Sequence, residues 1–186
     1  MRKIMLTLVA ALAAMAMLAS TASADIGDRI DVIPGGNVTA TAAGTLTLGG
    51  LINCNPVTLG ANIATHIEQT ATLMLIGSVT SASASNCGLG NSVTFLDPTS
   101  WRIWAFLPIS ESLVNLRFTG VAVQVVVLGG LATCLYAGDV DATFDGTTIT
   151  FNRAPLARQS GSFLCPNPGE LTGTMRVSPA QTIDIL

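Results

Sequence analysis

Residues 140–151 read Val-Asp-Ala-Thr-Phe-Asp-Gly-Thr-Thr-Ile-Thr-Phe. Apolar and polar positions alternate on both sides of Asp145-Gly146. Asp-Gly between alternating runs is the strongest short-range hairpin signal, because a type I′ turn needs positive φ at both central residues. The arms Val140–Phe144 and Thr147–Phe151 are therefore predicted strands, and the rest of the chain can be tested against the same period of two.

Upstream, Val38–Leu48 alternates Val38, Ala40, Ala42, Leu46 and Leu48 against Thr39, Thr41, Thr45 and Thr47, which predicts a half-buried strand ended by Gly49-Gly50. Ile67–Val79 predicts another, with Leu73, Leu75 and Val79 on one face and Thr70, Thr72 and Met74 on the other. Val93–Leu96 and Trp101–Leu107 follow, parted by the turn signal Asp97-Pro98. Val114, Leu116 and Phe118 alternate with Asn115 and Arg117. Val121–Leu128 is apolar except for Gln124 and reads as a central strand buried on both faces. Leu171–Val177 and Thr182–Leu186 close the chain. About nine to eleven short strands and no amphipathic helix predict an all-β fold, an antiparallel β-sandwich of Greek-key or jelly-roll type.

The composition agrees with one globular unit: 186 residues, 49% hydrophobic and 10% charged, which excludes intrinsic disorder. The mean hydropathy of +0.60 raises the question of a membrane span. Arg2 and Lys3, the apolar run Ile4–Leu18 and the small-x-small site Ala22-Ser23-Ala24 read as a secretory signal peptide over residues 1–24, cleaved after Ala24. No later run reaches 18 apolar residues, so the mature chain is expected to be secreted, extracellular or at the cell surface, without a membrane span. Residues 25–36, with Pro34-Gly35-Gly36, read as a flexible lead, and 37–186 as a single domain. Without Arg2 and Lys3 the mature chain has no Lys; six Arg against eleven acids leave a net charge of −5. That balance excludes nucleic acid and anionic lipid as partners, since both need a positive patch.

Cys54, Cys87, Cys134 and Cys165 make an even set behind a signal peptide and predict two disulfides. Three pairings are possible. The sequential one, Cys54–Cys87 and Cys134–Cys165, is expected because each pair brackets strand-like sequence. A zinc site fails on spacing, having no C-x-x-C pair and a single, distant His.

Candidate chemistry is sparse. His66 and Glu68 share a strand face, and Ser83 or Ser85 would complete a triad, yet no nucleophile elbow frames either Ser. Exposed strand positions explain them better. Asp139, Asp141 and Asp145 suggest paired carboxylates or a surface calcium site. Their spacing is wrong for an EF-hand, and turn and solvent roles account for all three. Trp101 and Trp104 should face opposite ways, one into the core and one available to a sugar or a protein. Arg153, Arg158 and Arg176 are better read as partners of the acids than as an anion site. Asn37-Val38-Thr39 matches a glycosylation sequon and is given no role. No catalytic, cofactor-binding or metal-ligating residue is assigned, and no cofactor is expected.

Thr119-Gly120-Val121-Ala122-Val123, Cys134-x-Tyr136-x-Gly138, Pro155-Leu156-x-Arg158 with Gly161-Ser162, Cys165-Pro166 and Leu171-Thr172-Gly173-Thr174 together resemble an uncharacterised group of small secreted actinobacterial proteins. The resemblance spans residues 40–178 and is clearest from 119 onward. It implies secretion, an all-β fold and sequential disulfides, and it transfers no catalytic residue. Gly50-x-Ile52-x-Cys54 followed by Cys87 also resembles the opening of a chaperone–usher pilin subunit, which would make Val38–Leu48 a donor strand. The expected function is a secreted, non-enzymatic interaction or structural protein, partnered by a protein, a cell-surface glycan or its own copies. The alternatives are a pilin-like subunit assembling by donor-strand exchange and an extracellular hydrolase.

Overall fold

The computed structural model describes residues 29–186 except 51, 69, 70, 89 and 111. The expected signal peptide and the start of the expected lead lie outside the described residues. Strands β1 (Arg29–Ile33), β2 (Gly36–Ala42), β3 (Leu46–Leu48), β4 (Ile52–Cys54), β5 (Val57–Ile63), β6 (His66–Glu68) and β7 (Leu73–Ala84) form the first half. Strands β8 (Ser92–Phe95), β9 (Arg102–Ser110), β10 (Leu113–Val127), β11 (Ala132–Phe144), β12 (Thr148–Ser160), β13 (Gly169–Ser178) and β14 (Thr182–Ile185) form the second. The all-β expectation holds among the described residues, and the only helical geometry there is two 3-10 turns, Pro98–Ser100 and Leu128–Gly130.

The expected sandwich is corrected to a closed eight-stranded barrel. Strands β2, β5, β7, β9, β10, β11, β12 and β13 pair antiparallel in that order, so ring neighbours follow one another in sequence and the Greek-key crossovers are absent. Arg176 of β13 closes the ring, in register with Thr148 of β12 on one side and Thr41 of β2 on the other. Alternation specifies one buried face per strand and is silent on whether the outer edges find each other. Closure satisfies those edges and leaves an interior just wide enough for side chains or one small ligand.

The same closure corrects the reading of Val121–Leu128. Val121, Val123, Val125 and Val127 are buried, whereas Ala122, Gln124 and Val126 on the outside are half-buried. A bulge between Phe118 and Val121, opposite Val140 and Gly138, lets both Phe118 and Val121 point inward, and Gly120 supplies the positive φ of 76° it needs. A second bulge in β7, between Leu75 and Gly77 against β9, inverts the predicted face. Met74, Ile76 and Val79 are buried, while Leu73 and Leu75 are exposed. Val38–Leu48 breaks into β2 and β3 around residues 43–45, and β2 sits between β5 and β13 of its own ring. Donor-strand exchange would require pulling it out.

The opening hairpin forms one residue out of its predicted register. Phe144 pairs with Ile149, and Gly146 alone of the turn residues has positive φ, 92°, as a II′ turn requires at its first central position. The Asp145 carboxylate accepts hydrogen bonds from the N–H groups of Thr147 (2.9 Å) and Thr148 (2.7 Å).

A three-stranded sheet, β14-β1-β6, caps one end of the barrel. Within the expected lead, Arg29–Ile33 is strand β1, and Ile30, Val32, Ile67 and Ile183 of this sheet are buried against the barrel interior. The opposite end carries both disulfides, Cys54–Cys87 and Cys134–Cys165, in the expected sequential pairing.

Candidate functional site

The polar candidates come first. His66 sits on β6 in register with Asp31 of β1, and its Nδ1 lies 2.8 Å from Asp31 Oδ1. Arg29 donates from Nε and Nη2 to the two oxygens of the same carboxylate, each at 2.8 Å. The Arg29 guanidinium and then the His66 hydrogen bond hold the Asp31 carboxyl down at about 2, below its ordinary 3.8. Glu68 pairs in register with Arg29. Ser83 pairs with Thr58, at the far end of β5 from the β6 segment and roughly 16 Å along the strand by its usual rise. The triad considered from sequence is not brought together.

Asp141 is held by Arg117 across the β10–β11 pair, at 2.7 and 3.0 Å. Asp145 is consumed by its turn, and Asp139 lies exposed opposite the β10 bulge. Among the described residues no three His, Cys, Asp or Glu side chains converge on one point. Arg153 forms a bidentate pair with Glu170 at 2.9 and 3.1 Å, as the pairing with acids anticipated. Arg158 instead donates to the carbonyls of Ser162 (3.1 Å) and Cys165 (2.6 Å). Asn37 accepts from Asn62 on the surface of β2. Trp101 is buried edge-on to Phe95, with its indole N–H donated to the Leu96 carbonyl. Trp104 faces outward and donates to Thr119 Oγ1, so the two Trp do point opposite ways. An open outer groove of about 620 Å³ runs past Asn115, Thr143, Thr150 and Asn152, where the β11–β12 pairing lapses between Ala137 and Thr143. Its charged rim, Asp141 and Arg153, is already paired.

Two apolar features stand out among the described residues. The first is the end of the barrel opposite the three-stranded sheet. Leu131, just after the β10–β11 turn, is 79% exposed, and Phe163 and Leu164, in the segment between β12 and β13, are 92% and 43% exposed. Both loops leave the same end, since Leu135 pairs with Ser160 and the Cys134–Cys165 disulfide ties them together. The Phe163 loop is further pinned by Arg158 and by the Tyr136 hydroxyl, which donates to the Pro166 carbonyl at 3.2 Å. Residues 159–169 contain no ionisable side chain. A fixed, uncharged loop thus holds a phenyl ring in water. The sequence reading passed over Phe163; its signal was a large apolar pair inside the short, Gly- and Pro-bounded segment around Cys165.

The second feature is inside. Two cavities of about 70 Å³ each follow one another along the barrel. The upper is lined by residues such as Leu46, Ile52, Val93, Val123 and Leu156, the lower by residues such as Ile30, Ala61, Ile76, Ala105 and Val114, and Leu59 and Phe118 border both. The polar liners are already bonded. Thr47 donates to the Thr172 carbonyl, and Gln181 accepts from the Gly35 N–H and donates to the Pro179 carbonyl. The rest of each lining is apolar, which gives a water too few of the two to four partners it needs, so the cavities are expected to be dry. At the usual cost per unit of void each sacrifices about 1.7 kcal/mol of packing.

The family described as alkane oxidation protein activator PraA/PraB-like matches residues 1–185. No curated protein and no solved structure matches the chain.

Proposed function

The chain belongs to the alkane oxidation protein activator PraA/PraB-like family, and from that premise we propose that it is a secreted, non-enzymatic interaction protein that supports alkane oxidation by engaging the hydrocarbon phase. The observation that carries this reading is the exposed apolar end, above all Phe163. Phe163 and Leu131, held in water, each gain about 1.5–3 kcal/mol on entering an apolar medium, and the half-exposed Leu164 gains roughly half as much. The disulfide and Arg158 hold the loop in place beforehand, so little ordering entropy opposes the transfer. Two disulfides suit a protein working outside a reducing cytoplasm. The side chains best placed for catalysis, His66 and Asp141, are engaged in ion pairs and hydrogen bonds on the barrel surface.

The test is adsorption at an n-dodecane–water interface, followed by tensiometry, alongside alkane oxidation by cells given the purified protein. Wild type should lower the interfacial tension and stimulate oxidation. Phe163→Ser combined with Leu131→Ser should need at least ten-fold more protein for both effects, while His66→Ala and Asp141→Asn should match wild type. Full adsorption by the double Ser variant, or loss of stimulation in His66→Ala with its fold intact, would refute the reading.

A further inference from the structure

We infer that the barrel interior is itself a binding site, taking one short, unfunctionalised alkyl chain that lies along the axis through both cavities. The inference deepens the proposed function and rests on it for the choice of alkanes; the shape and chemistry of the site come from the cavities alone. The two voids share Leu59 and Phe118 as a common wall, so a shift of those two side chains joins them. Joined, they approach the roughly 150 Å³ of an engineered apolar cavity that admits the six carbons of benzene. That sets the occupant at about five or six carbons.

The lining also decides what the chain carries at its ends. Gln181 has both amide groups bonded within the protein, and Thr47 is already donating. A carboxylate or hydroxyl entering here would lose its water and gain no partner, a cost of several kcal/mol for the charged group. The site therefore selects an alkane over the fatty acid or alcohol of the same length. The route in is the capping sheet. Its strands are three to five residues long, against seven to fifteen in the ring, and short, sparsely bonded strands open most readily.

The experiment is a methyl NMR titration of the disulfide-bonded protein with n-hexane, and with sodium hexanoate as the matched polar ligand. With n-hexane, methyl resonances of Leu59, Ile76, Ile109 and Val114 should shift and saturate, while those of exposed Leu75 stay in place; hexanoate should move none of them. Ala61→Leu, which fills the lower cavity, should weaken n-hexane binding at least ten-fold. Phe163→Ser should leave the interior shifts unchanged, which separates this site from the exposed end. Absence of interior shifts in wild type, or equal shifts with hexanoate, overturns the inference whatever the protein does for alkane oxidation. Interior shifts in a protein that fails to stimulate oxidation leave the site standing and remove the functional reading instead.

Discussion

Replacing Ala61 with valine adds two methyl groups to a strand position that faces the lower cavity. Ala61 is 8% exposed on β5, flanked in register by Val38 on β2 and Val79 on β7. Burying two methyl groups is worth about 1.6 kcal/mol at the usual value per carbon. Abolishing a 70 Å³ void gains at most about 1.7 kcal/mol by the cavity relation, so the two routes to the ceiling agree. Imperfect fit subtracts from it, leaving an expected stabilisation of about 1 kcal/mol. In a domain of this size that raises the unfolding midpoint by about 2–4 °C, readable by calorimetry or by denaturant unfolding with the disulfides intact. Ala132→Val is the control. Ala132 is 4% exposed at the start of β11 and borders neither interior cavity, so the same two methyl groups there should overpack and destabilise by about 1–3 kcal/mol. If Ala61→Val destabilised as much as Ala132→Val, with the denaturant slope unchanged, the void beside Ala61 would not exist. The interior site argued from it would then fall.

Three further outcomes follow from single features. Gly146→Ala places a side chain at φ 92° with its Cβ about 2.6 Å from the Gln181 carbonyl oxygen, so it should cost more than the ~1 kcal/mol of an ordinary glycine exchange, measured by chemical unfolding. Removing Cys134–Cys165 by a double Ser substitution releases a 31-residue separation and should cost about 3–4 kcal/mol, while the native protein should show no thiol to a labelling reagent in its described part. The Asp31 carboxyl is held near 2 by Arg29 and His66, below an ordinary 3.8. Its contribution is thus complete above about pH 4 and disappears as the pH falls through 2. Stability curves of Asp31→Asn should be flatter than wild type between pH 4 and 2. A residual slope will remain, because Glu170 beside Arg153 and Asp145 in its turn are shifted in the same direction.

The strands were legible wherever the side-chain period stayed intact. Val140–Phe151 formed its hairpin, Val114–Phe118 alternated as read, and the cysteines paired as their bracketing of strand sequence suggested. The reading failed where one residue was inserted into the period. The irregularity at Ile76 turned Leu73 and Leu75 outward, and that at Thr119-Gly120 kept Phe118 and Val121 both inside. A bulge is fixed by what lies on the neighbouring strand, and a single strand's pattern holds no trace of its partner's register.

Closure is hidden for a related reason, and the hidden feature decides where to look for function. Sandwich and barrel ask the same alternation of each strand. They differ in whether the two outer edges meet, here through Met175 and Arg176, each paired with β12 on one side and β2 on the other. A sandwich with these side chains would collapse its two inner faces onto each other, and packing would consume the space between them. A ring of eight strands has a circumference set by backbone hydrogen bonding, so it cannot shrink to fit the side chains it encloses. With Ala40, Ala61 and Ala105 among the inward residues of the lower half, the fixed wall leaves the filling short, and a dry cavity results. The charge-poor, Thr-, Ala- and Gly-rich strands thus leave two apolar features: an outer end where Phe163 stands in water, and an interior that small residues keep from filling. Both are apolar, and neither shows in the strand period of the chain.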